Sequence, residues 1–250
     1  MAVELQYLKE VSALKIRIKF TKSGTMIFIG HLDVMRYFQK AIRRADIDIA
    51  YSTGFSPHQI MSFASPLGVG LYSKGEYMDI EVNSTPSSAQ AVDMLNAVMV
   101  DGISVESYKL LPEKAENAMA SIAAADYYVT FRDGKNLVGD GWQDKFLAFY
   151  NQATIPVLKK TKKGERTVDL KQLIYETSPD GDGRYLRVCA DSGNNIKPIQ
   201  IFEAFFASLG LELPEFALLV TRLDLFTDTR ESEAEPHQFV SLNDIGTIIE

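Results

Sequence analysis

Hydrophobic and polar positions alternate along LKIRIKF. Leu14, Ile16, Ile18 and Phe20 fall on one side, and Lys15, Arg17 and Lys19 on the other, which predicts a half-buried strand. The period then changes. Leu32, Met35, Phe38, Ile42 and Ala45 recur at spacings of three and four, which predicts a helix from Leu32 to Ala45 with that set as its buried face. Two strands follow in the pattern, at Ile47–Tyr51 and Tyr77–Val82, separated by a long loop rich in Gly, Pro and Ser. A helix is predicted over Ser87–Met99 with Ser87 or Ser88 as its N-cap, then a strand over Val105–Leu110.

The same order recurs downstream. Tyr127–Phe131 reads as a strand and Gly141–Gln152 as a helix carrying Trp142, Phe146 and Phe149. Strands are predicted at Thr154–Leu158, Thr167–Ile174 and Tyr185–Cys189, a helix at Pro198–Leu209, and a closing strand at Phe216–Phe226. Each half has the order β-α-β-β-α-β. The expected class is therefore α+β, with two tandem ferredoxin-like domains. They span residues 1–115 and 120–228, are joined by the polar stretch Pro112–Ser121, and precede an acidic tail at 229–250. The halves share no visible sequence identity, so the repeat is architectural. FVSLNDIGTII at the end of the tail either docks as a short strand or stays mobile.

Composition narrows the classes. With 250 residues, 46% of them hydrophobic, the chain can bury one large core or two smaller ones. A single cysteine, Cys189, excludes an internal disulfide framework, a thiolate metal site and a CxxxCxxC iron–sulfur motif. MAVELQYLKE carries no signal-peptide pattern, and no apolar run approaches the roughly 20 residues that span a bilayer. A soluble, cytoplasmic protein without a membrane partner is expected. The net charge of −7 is uneven. From Asp228 onward six acids face Arg230 alone, so the rest of the chain carries only about −2. Two segments are basic: Lys15–Arg44, and LKKTKKGER at Leu158–Arg166.

The chemistry-bearing residues concentrate between Phe28 and Gly70, which hold two of the three histidines. This region and the strand after it supply GHLD at Gly30–Asp33, then Arg36, RRA at Arg43–Ala45, YSTGFSPH at Tyr51–His58, SFASPLGVG at Ser62–Gly70 and EYMDIEV at Glu76–Val82. In these motifs and their spacing the chain resembles a bacterial family of unknown function that accompanies radical SAM proteins, either as a separate chain or fused to their C-terminus. The resemblance implies a radical SAM partner. The chain itself would hold no cofactor, while the partner would carry an iron–sulfur cluster, S-adenosylmethionine and, in its cobalamin-type members, cobalamin.

Each candidate residue has two readings. His31 sits where a loop enters a helix, with Asp33 in the first turn. It is either an acid/base or phosphate-contacting group beside free backbone donors, or part of a tight entry through Gly30 in which Asp33 complements the helix dipole. Arg36, Lys40, Arg43 and Arg44 form a basic stripe that either tracks an RNA backbone or is a solvated helix face. Lys15, Arg17 and Lys19 invite the same idea. In a ferredoxin-like sheet, however, they lie beside Tyr77, Asp79 and Glu81, and cross-strand pairing would neutralise them.

In the loop, Tyr51, Gly54, Phe55, Ser62 and His58 either build a ligand platform, with Phe55 and Phe63 stacking on a base or ring, or anchor the loop to the core. His31, Asp33 and His58 are the candidate catalytic residues, and a metal held by these three is a further option. Lys197, in SGNNIKP before the last helix, offers an anion site or a simple capped turn. His237, in the tail, is expected to have no role. Two functions follow: an accessory RNA- or substrate-binding partner of a radical SAM enzyme, or a stand-alone RNA-processing or transfer enzyme using His31 and His58. A pure protein-interaction module is the third.

Overall fold

A computed structural model describes residues 13–161 and 164–250. The fold is mixed α+β and mostly antiparallel. Its contacts divide the chain into two units. The first comprises 13–70, 75–121 and 240–250, and the second 71–74 and 122–239.

In the first unit, β1 (Leu14–Lys22) leads through a 3-10 turn to α1 (His31–Arg44). β2 (Met61–Phe63), β3 (Tyr72–Val82), α2 (Ser88–Asn96), β4 (Ile103–Leu110) and the short α3 (Ala118–Ser121) follow. The strands lie in the order β4-β1-β3, with β2 antiparallel to β3. Ile16, Ile18 and Phe20 of β1 and Met78, Ile80 and Val82 of β3 bury against Val34, Phe38 and Ile42 of α1. That face is not the predicted one throughout. Leu32 points to solvent, and the buried stripe begins at Val34. Ser87 caps α2 as expected: its Oγ accepts from the Gln90 amide, and Gln90 Oε1 accepts from the Ser87 amide.

The helix ends at Asn96, short of Met99, and the Asn96 side chain turns to β4. Its amide donates to Val105 O and accepts from Val105 N (2.9 and 2.8 Å). Both polar groups of one residue on edge strand β4 are thereby occupied, as a pairing strand would occupy them.

No strand forms at Ile47–Tyr51. Ile49 makes a single bridge to Val82, and the chain then doubles back so that Tyr51 bridges Gln59. The strand that pairs with β3 lies later, at Met61–Phe63.

The second unit contains β5 (Ala124–Phe131), α4 (Trp142–Tyr150), β6 (Pro156–Thr161), β7 (Gly164–Asp169), β8 (Ile174–Asp180), β9 (Gly183–Cys189), α5 (Pro198–Ser208) and β10 (Leu218–Asp228). Its sheet order is β10-β5-β9-β8, and β10 also pairs in parallel with Tyr72 and Ser73. Phe131, Trp142, Phe146, Phe149, Phe202 and Phe205 form one ring cluster with centroids 5.0–6.4 Å apart.

The expected strand Thr167–Ile174 is broken by a 3-10 turn at Leu170–Gln172, where Asp169 Oδ1 accepts from both Lys171 N and Ile155 N. β6 and β7 form a hairpin, and Lys162 and Lys163 of the basic run lie outside the described residues. Its Lys159 and Arg166 donate to Asn195 O and Gly193 O. The C-terminal segment contains the short strand β11 (Phe239–Ser241), and Leu242 beyond it is fully buried.

Candidate functional site

α1 begins at Gly30, whose carbonyl accepts from both Asp33 N and Val34 N (3.1 and 3.0 Å). No side chain caps this end. Asp33 instead meets Arg36 Nη1 at 3.4 Å, and both side chains are exposed, so the pair contributes little. His31 is half-buried, with its ring edge-on to Phe63 at 5.3 Å. Phe63 is therefore a core residue packed on Phe20, Phe38 and His31, and is not free to stack on a ligand.

His31 also lines a cavity of about 10 Å³, together with Lys22 and Glu76. These two ionisable side chains are only 3% and 7% exposed. Neither is a predicted site residue, yet the pattern contains them. Lys22 continues the parity of Ile16, Ile18 and Phe20, and Glu76 that of Met78, Ile80 and Val82. Both are charges at core-face positions.

The loop after α1 is an ordered hairpin. Ser52 N donates to His58 O, His58 N donates to Ser52 Oγ, and that hydroxyl lies 2.8 Å from His58 Nδ1. Gly54 at the tip has φ +115°, a conformation L side chains rarely adopt. The next residue, Phe55, is fully exposed, and Tyr51 is half exposed. The hairpin leans on α1: Gln59 Nε2 donates to Gln39 O at 3.3 Å, and Arg43 Nε donates to the same carbonyl at 3.2 Å.

Leu32, Arg36, Lys40 and Arg43 follow one another along the solvent side of α1, and all are exposed. Arg44 leaves the stripe. It donates to Val98 O and lies 6.0 Å over the Tyr37 ring. At the helix start Phe28, Leu32 and Val69 are each more than half exposed, and the bond from Gly70 N to Ile27 O ties the Val69 loop to the Phe28 turn. Arg36, Lys40 and Arg43 are thus exposed on α1, and Tyr51 and Phe55 are exposed on the hairpin bonded to it.

Other candidates lie elsewhere. The hydrogen bonds of His58 go to Ser52 and the ring contact of His31 goes to Phe63, so no contact joins the histidines. Among the described residues no group of three or more His, Cys, Asp or Glu is placed to hold a metal ion, which rules out a site of His31, Asp33 and His58. Ser62 accepts from Asn117 Nδ2 at 2.8 Å. Lys197 begins α5, where its amide donates to Gln200 Oε1. In the turn before it the Gly193 and Asn194 amides already donate to Asp191 Oδ1, both at 2.6 Å, so a carboxylate of the chain occupies the place an anion would take.

Within the basic strip on β1, Arg17 is neutralised by pairing. Arg17 Nε and Nη2 bind the two oxygens of Asp79 at 2.8 and 3.0 Å, and Lys19 lies over the Tyr77 ring. The face is not open, because Leu242 O and Glu116 O also accept from Arg17, which is 2% exposed.

His237 is far from idle. It binds Asp228 at 2.7 Å, stacks on Phe239 and meets the tilted Tyr175 ring at 4.6 Å. Burial pushes the Cys189 thiol above its usual range, so it is a poor nucleophile at neutral pH.

The chain belongs to a bacterial family described as "Uncharacterized protein conserved in bacteria (DUF2344)", whose profile matches residues 15–198. No curated protein matches it. It is similar to a chain of the solved structure "Crystal Structure of a Cbf5-Nop10-Gar1 Complex", at 11% identity and a TM-score of 0.40. The match covers 86% of this chain and 49% of that one, so the chain spans about half the length of the protein it matches. No argument rests on so low a score.

Proposed function

We propose that this member of a bacterial family of uncharacterized proteins is an accessory subunit that captures single-stranded RNA and holds it for a radical SAM partner in the cytoplasm. One observation carries the reading. A fully exposed Phe55 stands on an ordered hairpin that is hydrogen-bonded to the helix bearing Arg36, Lys40 and Arg43. Single-stranded nucleic acid is held by that combination, with aromatic rings for base faces and cations for the backbone. The partner would supply the iron–sulfur cluster, S-adenosylmethionine and cobalamin, and this chain would position the substrate. Each unit is read as ferredoxin-like. The order of elements, and the sheet orders β4-β1-β3-β2 and β10-β5-β9-β8, support that assignment.

A second reading, an RNA-processing or transfer enzyme, draws on Lys22 and Glu76 beside His31. Fluorescence anisotropy of labelled RNA with the purified chain, followed by mass spectrometry of the recovered RNA, separates the two. The accessory reading expects single strands to bind better than duplex and to be recovered unchanged. Absence of binding at low salt would remove the RNA assignment, and altered RNA would move the function to the second reading.

A further inference from the structure

Lys15 and Glu81 define a second site, away from the surface of α1 and the hairpin. The Arg17–Asp79 pair and the Lys19–Tyr77 contact step in opposite directions along β1 and β3. The next cross-strand pair in that series is Lys15 with Glu81. Unlike the pair before it, this one is open: among the described residues neither side chain forms an ion pair, and both line a cavity of about 150 Å³.

Asp79, on the same wall, is largely engaged within the chain. Its oxygens are taken by Arg17 and by the Ala118 amide at 2.8 Å. Ile60, Met61 and Leu111 supply apolar walls, and Ser62 adds a hydroxyl whose oxygen already accepts from Asn117. The volume is about half the lower bound of roughly 300 Å³ for drug-sized ligands, which points to a compound of amino-acid size.

We propose that this cavity binds a small aliphatic α-amino acid in its zwitterionic form. The Glu81 carboxylate would receive the ammonium group, Lys15 the carboxylate, and the walls the aliphatic side chain. An ammonium or a carboxylate alone would leave one of the two protein charges unmatched. A free amino acid therefore differs from the end of a peptide, which carries only one of them.

The test is a two-dimensional NMR titration of the full chain, without RNA, using L-leucine, leucinamide and N-acetyl-leucine. L-leucine is expected to give saturable shifts at the Ser62, Glu81 and Asn117 amides. Each singly charged analogue is expected to bind about tenfold more weakly or worse. Glu81→Gln should abolish the advantage of L-leucine over N-acetyl-leucine, and Lys15→Met its advantage over leucinamide. Lys15 is exposed and Glu81 only half-buried, so both variants are expected to fold, and their amide spectra show whether they do. The proposal is overturned if no shift saturates by about 10 mM, tenfold above the usual ceiling of about 1 mM for metabolite sites. It is equally overturned if leucinamide or N-acetyl-leucine matches L-leucine, or if both variants bind like the parent.

Discussion

Gln59 and Gln39 join the hairpin to the first helix. The Gln59 amide is buried and donates to the Gln39 carbonyl at 3.3 Å, while its Oε1 has no hydrogen-bond partner in the described structure. A buried acceptor left unpaired costs about 1–3 kcal/mol. Docking the hairpin on α1 is what buries Gln59.

Phe55 gives the cleanest separation of binding from folding. It is fully exposed, so Phe55→Ser should change unfolding free energy by no more than about 0.5 kcal/mol. RNA affinity should drop by about 1–3 kcal/mol, the usual value of one stacked base. Combining Arg36→Ala with Arg43→Ala should also lower affinity, and should flatten the salt dependence by about 0.7 per lost phosphate contact. Anisotropy across a salt series checks both effects. Unchanged slope and affinity in the charge variant, with the fold intact, would remove α1 from the RNA site.

The Arg17–Asp79 pair tests how the roof over β1 is held. Arg17 is buried and donates to the Asp79 carboxylate and to the Leu242 and Glu116 carbonyls. Asp79→Ala would strand that charge and should destabilise by about 3 kcal/mol or more. Arg17→Met together with Asp79→Leu should recover most of the loss, because no buried charge remains. Urea unfolding of the parent and these two variants reads the difference. If the single and double variants were equally destabilised, packing and not charge would hold the roof.

Asp228 predicts an acid limb in stability. Burial pushes its carboxyl up, but the Gln238 amide, the His237 ring and the Arg230 amide pull harder, so it ionises below the ordinary carboxyl value of 3.8. A lowered folded-state value means stability that is complete above about pH 4 and fades as pH falls through that lower value. Asp228→Asn should cost about 2 kcal/mol at pH 7 and less in acid, since it removes hydrogen bonds to a charged group. Chemical unfolding at pH 7 and pH 3 checks this, and an equal loss at both pH values would exclude the linkage.

Much of this was legible from the residues, and the misses have identifiable physics. The pairing of Arg17 with Asp79 was legible from strand order and parity, which set the two opposite charges beside each other on neighbouring strands. Leu32 fits the apolar period, yet it lies in the first turn of α1, beyond the reach of the sheet. Ile47–Tyr51 has strand composition, but Gly54 and Pro57 reverse the chain too soon for a long ladder, and only two bridges form. The Thr167–Ile174 run is interrupted because Asp169 captures two backbone amides. Lys22 and Glu76 were readable as charges on core-face positions. That they meet at His31 was not, since it depends on the depth at which α1 starts over the sheet.

His31 decides between accessory and enzyme. Its ring faces a cavity shared with Lys22 and Glu76, groups that can move protons, but the cavity holds little more than a water molecule. RNA could touch only the exposed side of the ring. If His31 performs acid/base chemistry, the purified chain should alter RNA without iron, S-adenosylmethionine or partner. His31→Ala would then lower the rate about a hundredfold or more. If the chain is an accessory, it is inert alone, and the substitution lowers RNA capture without touching any intrinsic rate. The loss of the ring from Phe63 should cost about 1 kcal/mol of stability in either case, so thermal unfolding must accompany the assay. His237 cannot serve as the neutral control, because it is bonded to Asp228 and stacked on Phe239. The exposed Glu113 can. We expect inertness of the isolated chain and weakened capture in His31→Ala. Turnover by the isolated chain that His31→Ala abolishes and Glu113→Ala leaves intact would make this protein an enzyme.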